Sequence, residues 1–141
     1  MKVPALLTDI GFNQRQLTLT DFEAVCAQLK ILVFYTNSSF EGVSFPRRGR
    51  RIIVLSNKLS GVKALLVAWH ELFHQVCGHD GVRFFLPSCL DVAEHEADSL
   101  SLCAVIPKAW IESKTPADLL EEGFTWELLW QRKEIYERYK I

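Results

Sequence analysis

The sequence lacks the features that mark a membrane or secreted protein. No apolar run approaches the ~20 residues that a membrane-spanning helix needs. The opening stretch, MKVPALLTDIGF, has an apolar patch too short for the core of a signal peptide. The four cysteines form no C-x-x-C pair, and without a secretion signal they are expected to be reduced thiols. These absences predict a soluble, cytoplasmic protein with no membrane partner.

An excess of charge of either sign is also absent. The chain has 16 Lys and Arg against 17 Asp and Glu, a formal net charge of -1. A near-neutral chain has no overall attraction for nucleic acid, so direct nucleic-acid binding is not expected. No repeat, linker or low-complexity segment interrupts the 141 residues, which are about the length of one domain. Residues 1–141 are therefore predicted to form a single domain.

The first half of the chain predicts one helix and a small sheet. Thr20 and Glu23 have the spacing of a capping box, which marks the start of a helix. The stretches ILVFYT, SSFEGVSF and RRIIVLS have the β-branched and aromatic content of strands. Their connections are short, which favours an antiparallel meander, so the predicted sheet is small and either antiparallel or mixed. Four arginines at the predicted hairpin tip indicate a solvated turn or a docking contact for an acidic partner or DNA: Arg47, Arg48, Arg50 and Arg51.

The second half of the chain predicts helices. Apolar residues recur at three- and four-residue spacings over 60–77, and Gly78 ends that helix. A second helix is predicted over 91–105, followed by a short one after Pro116 and a longer C-terminal one. The tryptophan stripe of the last helix, Trp126 and Trp130, is expected to lie in the core. The fold class is therefore predicted to be α+β.

The stretch WHELFH carries the chemistry. In a helix, His70 and His74 lie one turn apart, so both imidazoles project from one face at the separation that a single zinc ion requires. Glu71 is placed to act on a water molecule at the metal rather than on the metal itself. This is the H-E-x-x-H pattern of zinc peptidases. Burying two imidazoles and a carboxylate without a metal would be costly, so the pattern favours a metal site over two structural histidines.

A catalytic zinc site needs a third protein ligand, and the stretch DVAEHEAD offers two glutamates. On an ideal helix Glu94 lies within about 50° of the centre of the small, apolar face, and Glu96 lies about 110° away. Glu94 is therefore the predicted ligand. Glu96 is the alternative ligand and otherwise a solvated carboxylate. Asp98, one turn after Glu94, is placed to accept a hydrogen bond from a ligand histidine.

Other side chains near the pattern have competing interpretations. His79 and Asp80 follow the helix closely enough to be a rival metal arm, although such residues more often end a helix and shape a turn. Cys77 and Cys89 could reach the zinc, but packing as small hydrophobic side chains fits both better. His95 is predicted to point away from the metal, at the surface.

H-E-x-x-H, followed 20 residues later by E-x-E-A-D, resembles the ImmA/IrrE metallopeptidase family. The resemblance implies a compact zincin-like domain, a sheet packed on the H-E-x-x-H helix, and a single zinc ion. It makes His70, His74 and Glu94 the zinc ligands and Glu71 the catalytic carboxylate. It also implies a link to transcriptional control through helix-turn-helix repressors. The sequence departs from the family at Phe73, where glycine is favoured, and a large side chain there is expected to narrow access to the metal.

These observations predict a zinc-dependent endopeptidase acting on a protein substrate, a transcriptional repressor or another regulator. The alternative is a non-proteolytic regulatory module that contains zinc and works by protein–protein binding. A structural zinc site needs ligands but no general base, so Glu71 discriminates between the two. The strand RIIVLS is predicted to bind an extended peptide by edge pairing.

Overall fold

Helices surround a small sheet in the structure of this chain. The computed structural model describes residues 3–79 and 87–141, without the side chains of residues 87–89. Within these residues, seven helices and three strands form a mixed α+β fold, which confirms the predicted fold class. None of the helices described is both long and apolar enough to cross a membrane. The elements are α1 (Ala5–Asp9), α2 (Leu19–Gln28), β1 (Ile31–Thr36), β2 (Gly42–Arg47), β3 (Arg50–Ser56), α3 (Gly61–Val76), α4 (Pro87–Val105), α5 (Lys108–Ser113), α6 (Pro116–Glu121) and α7 (Trp126–Tyr139).

The capping box of α2 lies two residues earlier than predicted. The Thr18 side chain accepts a hydrogen bond from the backbone of Asp21, whose carboxylate accepts one from the backbone of Thr18. The pair Thr20 and Glu23 has the same spacing but does not cap the helix, so that prediction was wrong. Arg15 explains why the helix is capped by Thr18 and Asp21. Its guanidinium donates two hydrogen bonds of 2.9 Å to Asp21 and holds this carboxylate at the helix start.

The sheet is mixed, one of the two arrangements predicted, and it is not the antiparallel meander that the short connections favoured. Its strand order is β1-β3-β2, with β1 parallel to β3 and β2 antiparallel to β3. Arg48 and Gly49 form the two-residue turn between β2 and β3, and both have positive φ, at 50° and 76°. The apolar run of β3 is typical of a central strand that is covered on both sides. Because β3 already has a neighbour at each edge, it cannot bind a peptide by edge pairing.

Aromatic packing orients α3, the helix that carries WHELFH. Trp69, Leu72 and Phe73 are fully buried. The ring of Phe22 on α2 meets Trp69 edge-on, and Phe12 meets Phe73 edge-on, at centroid distances of 6.0 and 5.8 Å. These contacts fix the rotation of the helix about its axis. The histidines of the pattern therefore face α4 instead of the apolar core.

The helix α7 turns a different face inward from the one predicted. Trp126 and Trp130 are 62% and 73% exposed, so their assignment to the core was wrong. The buried residues of this helix are Leu129, Arg132 and Ile135, which follow one another at three-residue spacing. Three- and four-residue spacing thus exists on both faces of α7, and only packing against the end of α4 decides which face is buried.

Arg132 is a fully buried cation that ties three segments together. Its Nε donates to the carbonyl oxygen of Ile106, just after α4, at 2.6 Å. Its Nη1 donates to the oxygen of Ile141 at 2.8 Å and its Nη2 to Oδ1 of Asn13 at 3.0 Å. Burial lowers the pKa of Arg132, although the group remains charged at any ordinary pH. The guanidinium fork thus joins α7, α4 and the loop that contains Asn13.

Candidate metal centre

The three residues predicted to bind zinc meet between α3 and α4. The Nε2 atoms of His70 and His74 are 3.0 Å apart. Glu94 reaches both rings from α4, with Oε2 at 3.0 Å from Nε2 of His70 and Oε1 at 3.1 Å from Nε2 of His74. The helical geometry that favoured Glu94 over Glu96 therefore agrees with where the structure places these two carboxylates.

The donor set fits a metal ion. Two imidazole nitrogens and one glutamate are the three protein ligands of one common class of catalytic zinc site. Zinc ligands at 2.0–2.1 Å from the ion, in tetrahedral geometry, lie about 3.3 Å from one another. The candidate ligand atoms are all within 4.8 Å of one another. Lone pairs that converge this closely repel unless a proton or a cation lies between them. His70, His74 and Glu94 could therefore hold a metal ion.

Asp98, which was predicted to accept a hydrogen bond from a ligand histidine, lies beside the ring of His70. The Nδ1 of His70 donates to Oδ1 of Asp98 at 2.7 Å. In a neutral imidazole this leaves a lone pair on Nε2, the atom that faces Glu94. Burial acts to lower the pKa of His70. The hydrogen bond to Asp98, with the charges of Asp98, Glu71 and Glu94, outweighs burial and leaves the pKa raised. The same carboxylate charge would attract a bound cation.

The end of α3 brings a further histidine to the site. Gly78 has a φ of 73°, and its N–H bonds to the carbonyl oxygen of Gln75, while the N–H of His79 bonds to that of His74. This pair of bonds is the Schellman motif, in which the second residue after the helix cap contacts the third residue before it. The His79 ring accordingly lies against His74, with the two Nδ1 atoms 3.0 Å apart.

Glu96 is not the solvated carboxylate that was predicted. Its Oε1 lies 2.8 Å from Nε2 of His79, and its side chain is 32% exposed. Cys77 joins them, so that Cys77, His79 and Glu96 form a second group whose geometry could hold a metal ion. Burial raises the pKa of Cys77 to about 12, and the charge of Glu96 and a hydrogen bond to it act in the same direction. The sequence signal for this group was Gly78, which predicted the helix end but not which ring would fold back.

Glu71 lies at the wall of a cleft next to the candidate ligands. Its side chain is 6% exposed, and it lines the cleft together with His70. The cleft has a volume of about 510 Å³ and runs between β2, α3, α4 and α7. Gly42 of β2 and Leu128 of α7 form part of its opposite walls. Glu71 therefore forms part of the wall of a space that a substrate could enter.

Phe73 does not narrow this cleft, so the expectation that it would do so was wrong. It is fully buried in the aromatic cluster on the far side of α3 and is not among the residues that line the cleft. His95 is exposed, as predicted. The predicted roles of Asp80 and of the Cys89 side chain lie outside the described residues. The arginines of the hairpin tip are all exposed: Arg47, Arg48, Arg50 and Arg51.

No protein-family model matches this chain, and no curated protein is significantly similar to it in sequence.

Proposed function

We propose that this protein is a zinc-dependent endopeptidase of the ImmA/IrrE type, with a zincin-like fold. The observation that carries the proposal is the convergence of His70, His74 and Glu94 beside a cleft whose wall includes Glu71. Three ligands with an adjoining carboxylate suit a catalytic centre, because a structural zinc is usually enclosed by four protein ligands.

The ligands and Glu71 have separate tasks in this proposal. A zinc ion held by the three ligands would supply Lewis acidity, which polarises a peptide carbonyl and makes water a stronger acid. The carboxylate oxygens of Glu71 accept a proton from the attacking water and return it to the leaving amine. Asp98 keeps the proton of His70 on Nδ1, so that Nε2 presents its lone pair.

The cleft suits an extended peptide along β2. Ser56 donates its backbone N–H to the carbonyl oxygen of Glu41, so these two residues form a hydrogen-bonded pair in the antiparallel ladder. Pairs of this kind alternate along a ladder, and the next residue, Gly42, therefore turns its backbone groups away from β3. Gly42 also lines the cleft. We propose that a substrate strand pairs with β2 there, in place of the pairing with β3 expected from the sequence.

The proposed substrate is a protein, and on the family resemblance it is a helix-turn-helix repressor or another transcriptional regulator. The cleft is lined by charged side chains of both signs, which suits a polar peptide: Lys63 and Arg138 are basic, and Glu41, Glu71, Asp98 and Glu134 are acidic. The basic hairpin tip, residues 47–51, is a proposed docking contact for an acidic segment of that protein.

Zinc content and cleavage, measured together, test this proposal. Purified wild type should carry one zinc per chain by plasma mass spectrometry, Glu94→Gln should lose it, and the exposed-site control Glu121→Gln should keep it. Wild type should cleave candidate repressors and a peptide library, read by mass spectrometry. Glu71→Gln should retain zinc but cleave at least about 100-fold more slowly, because it removes the general base.

Two results would contradict the proposal in different ways. Wild type that takes up no zinc after reconstitution would exclude the metal centre. Wild type that binds zinc but behaves like Glu71→Gln towards every substrate would favour the alternative, a regulatory module that works by protein–protein binding.

A further inference from the structure

We propose that His79 and Glu96 act as positioning residues that hold His74 in the tautomer able to bind the metal. The inference rests on the proposed metal centre but concerns residues outside it. It starts from a continuous series of short contacts: Glu96 Oε1 to His79 Nε2 at 2.8 Å, His79 Nδ1 to His74 Nδ1 at 3.0 Å, and then Nε2 of His74 among the candidate ligand atoms.

The direction of the hydrogen bonds follows from the carboxylate at one end. A carboxylate oxygen accepts, so Nε2 of His79 is the donor to Glu96. A neutral imidazole carries one proton, which leaves Nδ1 of His79 as an acceptor. The bond between the two Nδ1 atoms then takes its proton from His74. With its proton on Nδ1, His74 offers the lone pair of Nε2 to a cation; in the ion-free site the same Nε2 lies 3.1 Å from a carboxylate oxygen of Glu94, which competes for the proton.

Burial makes this arrangement effective. His74 is 1% exposed and His79 is 8% exposed, so bulk water has little access to either ring. In such surroundings a hydrogen bond made in the wrong direction is costly, because a buried donor or acceptor loses its partner. Glu96 therefore favours the metal-binding tautomer of His74, and a cation that occupies the site removes the competing pull of Glu94.

Carboxylates of α4 then orient both candidate ligand histidines, one by direct contact and the other through a second imidazole ring. His70 donates directly to Asp98 on α4. His74 lies deeper and reaches its carboxylate, Glu96 on the same helix, only through His79. Alternate acidic positions of α4 thus have three distinct tasks: Glu94 faces the two rings, Asp98 orients the first histidine, and Glu96 orients the second.

The same tautomer prevents the second candidate metal group, Cys77, His79 and Glu96, from binding a metal through Nε2 of His79. A histidine binds a metal through a nitrogen lone pair, and Nε2 of His79 carries the proton donated to Glu96. The Cys77 thiol, which burial and Glu96 keep protonated, also directs its hydrogen towards this carboxylate. The proposal therefore requires that Cys77 stays out of the coordination of a bound metal.

Nuclear magnetic resonance of the zinc-loaded protein tests the tautomers directly. Long-range proton–nitrogen spectra of the imidazole rings, assigned with single histidine variants, should show the proton of His74 on Nδ1 and that of His79 on Nε2. A proton of His79 on Nδ1, or a doubly protonated His79 ring at neutral pH, would overturn the inference.

Zinc affinity, measured by competition with a chelator, tests the consequence. Glu96→Ala and, independently, His79→Phe should weaken zinc binding by about 10- to 100-fold, the range found when a carboxylate that orients a ligand histidine is removed. Glu96→Gln, whose amide oxygen still accepts from His79, should recover most of the loss. Glu121→Ala, an exposed carboxylate on α6, should bind as wild type does.

The outcomes separate the inference from the proposed function. Undiminished affinity in both Glu96→Ala and His79→Phe, with wild type binding zinc, would overturn the relay and leave the metal centre standing. A wild type that binds no zinc would overturn the metal centre and the relay together. Cobalt-substituted wild type should lack a thiolate-to-cobalt charge-transfer band. Such a band, lost in Cys77→Ser, would show the second group binding metal and overturn the relay.

Discussion

Replacing Gly42 by alanine would press a methyl group of β2 onto α3 beside the candidate catalytic carboxylate. A Cβ at this position would lie 2.8 Å from Cγ1 of Val67, and 3.2 Å from both Cγ of Glu71 and Cδ2 of Leu55. Carbon atoms pack at about 3.5–4.0 Å, so Val67 must move by roughly 0.7 Å. Overpacking of this kind costs about 1–3 kcal/mol. Glu71 is one of the contacted residues, so the displacement also reaches the proposed general base.

Urea denaturation of the metal-free protein measures the effect of Gly42→Ala on the free energy of unfolding. With a slope of about 1–3 kcal/mol per molar urea for a chain of this size, Gly42→Ala should lower the midpoint by roughly 1 M. The control is the double variant Gly42→Ala/Val67→Ala, which removes the methyl group that makes the shortest contact. A coupling of about 1–2 kcal/mol between the two sites is expected.

Peptide cleavage and zinc content measure the effect of Gly42→Ala on the proposed activity. Glu71 is not a proposed ligand, so Gly42→Ala should keep its zinc while peptide hydrolysis falls by about tenfold for each 1.4 kcal/mol lost in the transition state. Two results would refute the close approach of β2 to α3. One is a loss of stability below about 0.5 kcal/mol in Gly42→Ala. The other is a double variant whose loss of stability equals or exceeds the sum of the losses in the two single variants.

Two further predictions concern charges that the fold uses elsewhere. Arg132→Met should lower the free energy of unfolding by about 1–3 kcal/mol in chemical denaturation, because it leaves the buried Ile106 carbonyl oxygen without this donor. The exposed neighbour Lys133→Met should change it by less than about 0.5 kcal/mol. Arg15, through its hydrogen bonds, lowers the pKa of Asp21 from 3.8 to about 2, so this pair stabilises the fold above the unfolded pKa and the contribution is lost as pH falls towards 2. At the surface it is worth about 1 kcal/mol, and Asp21→Asn should flatten the acid limb of a stability–pH curve by that amount.

Elements with a local signal were predictable from the sequence, and contacts between distant segments were not. The periodicity of 60–77 and the β-branched content of ILVFYT gave α3 and β1 within a residue at each end. The parallel pairing of β1 with β3 depends on a chain crossing that no short-range pattern encodes. The short helices α1 and α5, of 5 and 6 residues, have too few turns for a periodic signal.

In the candidate site, too, relations within one helix were predictable from the sequence, and contacts between distant segments were not. Positions one turn apart on a single helix, such as His70 with His74 and Glu94 with Asp98, could be related by helical geometry alone. Glu96 could not be placed, because its partner His79 lies beyond the end of another helix and reaches it only through the turn at Gly78. The sequence showed the turn residue, but the direction of the returning side chain depends on how α3 and α4 pack.

The aromatic cluster that anchors α3 has a consequence for how the protein acquires a metal ion. Trp69, Leu72 and Phe73 hold the helix through apolar burial, without help from any ligand. The donor atoms are thus preorganised, and the entropy of assembling them is lost when the chain folds and not when the ion arrives. A small metallodomain of the zinc-finger kind unfolds on losing its ion. In the proposed zinc centre the ion would instead exchange while the protein stays folded, so that metal supply would switch the proposed chemistry on and off.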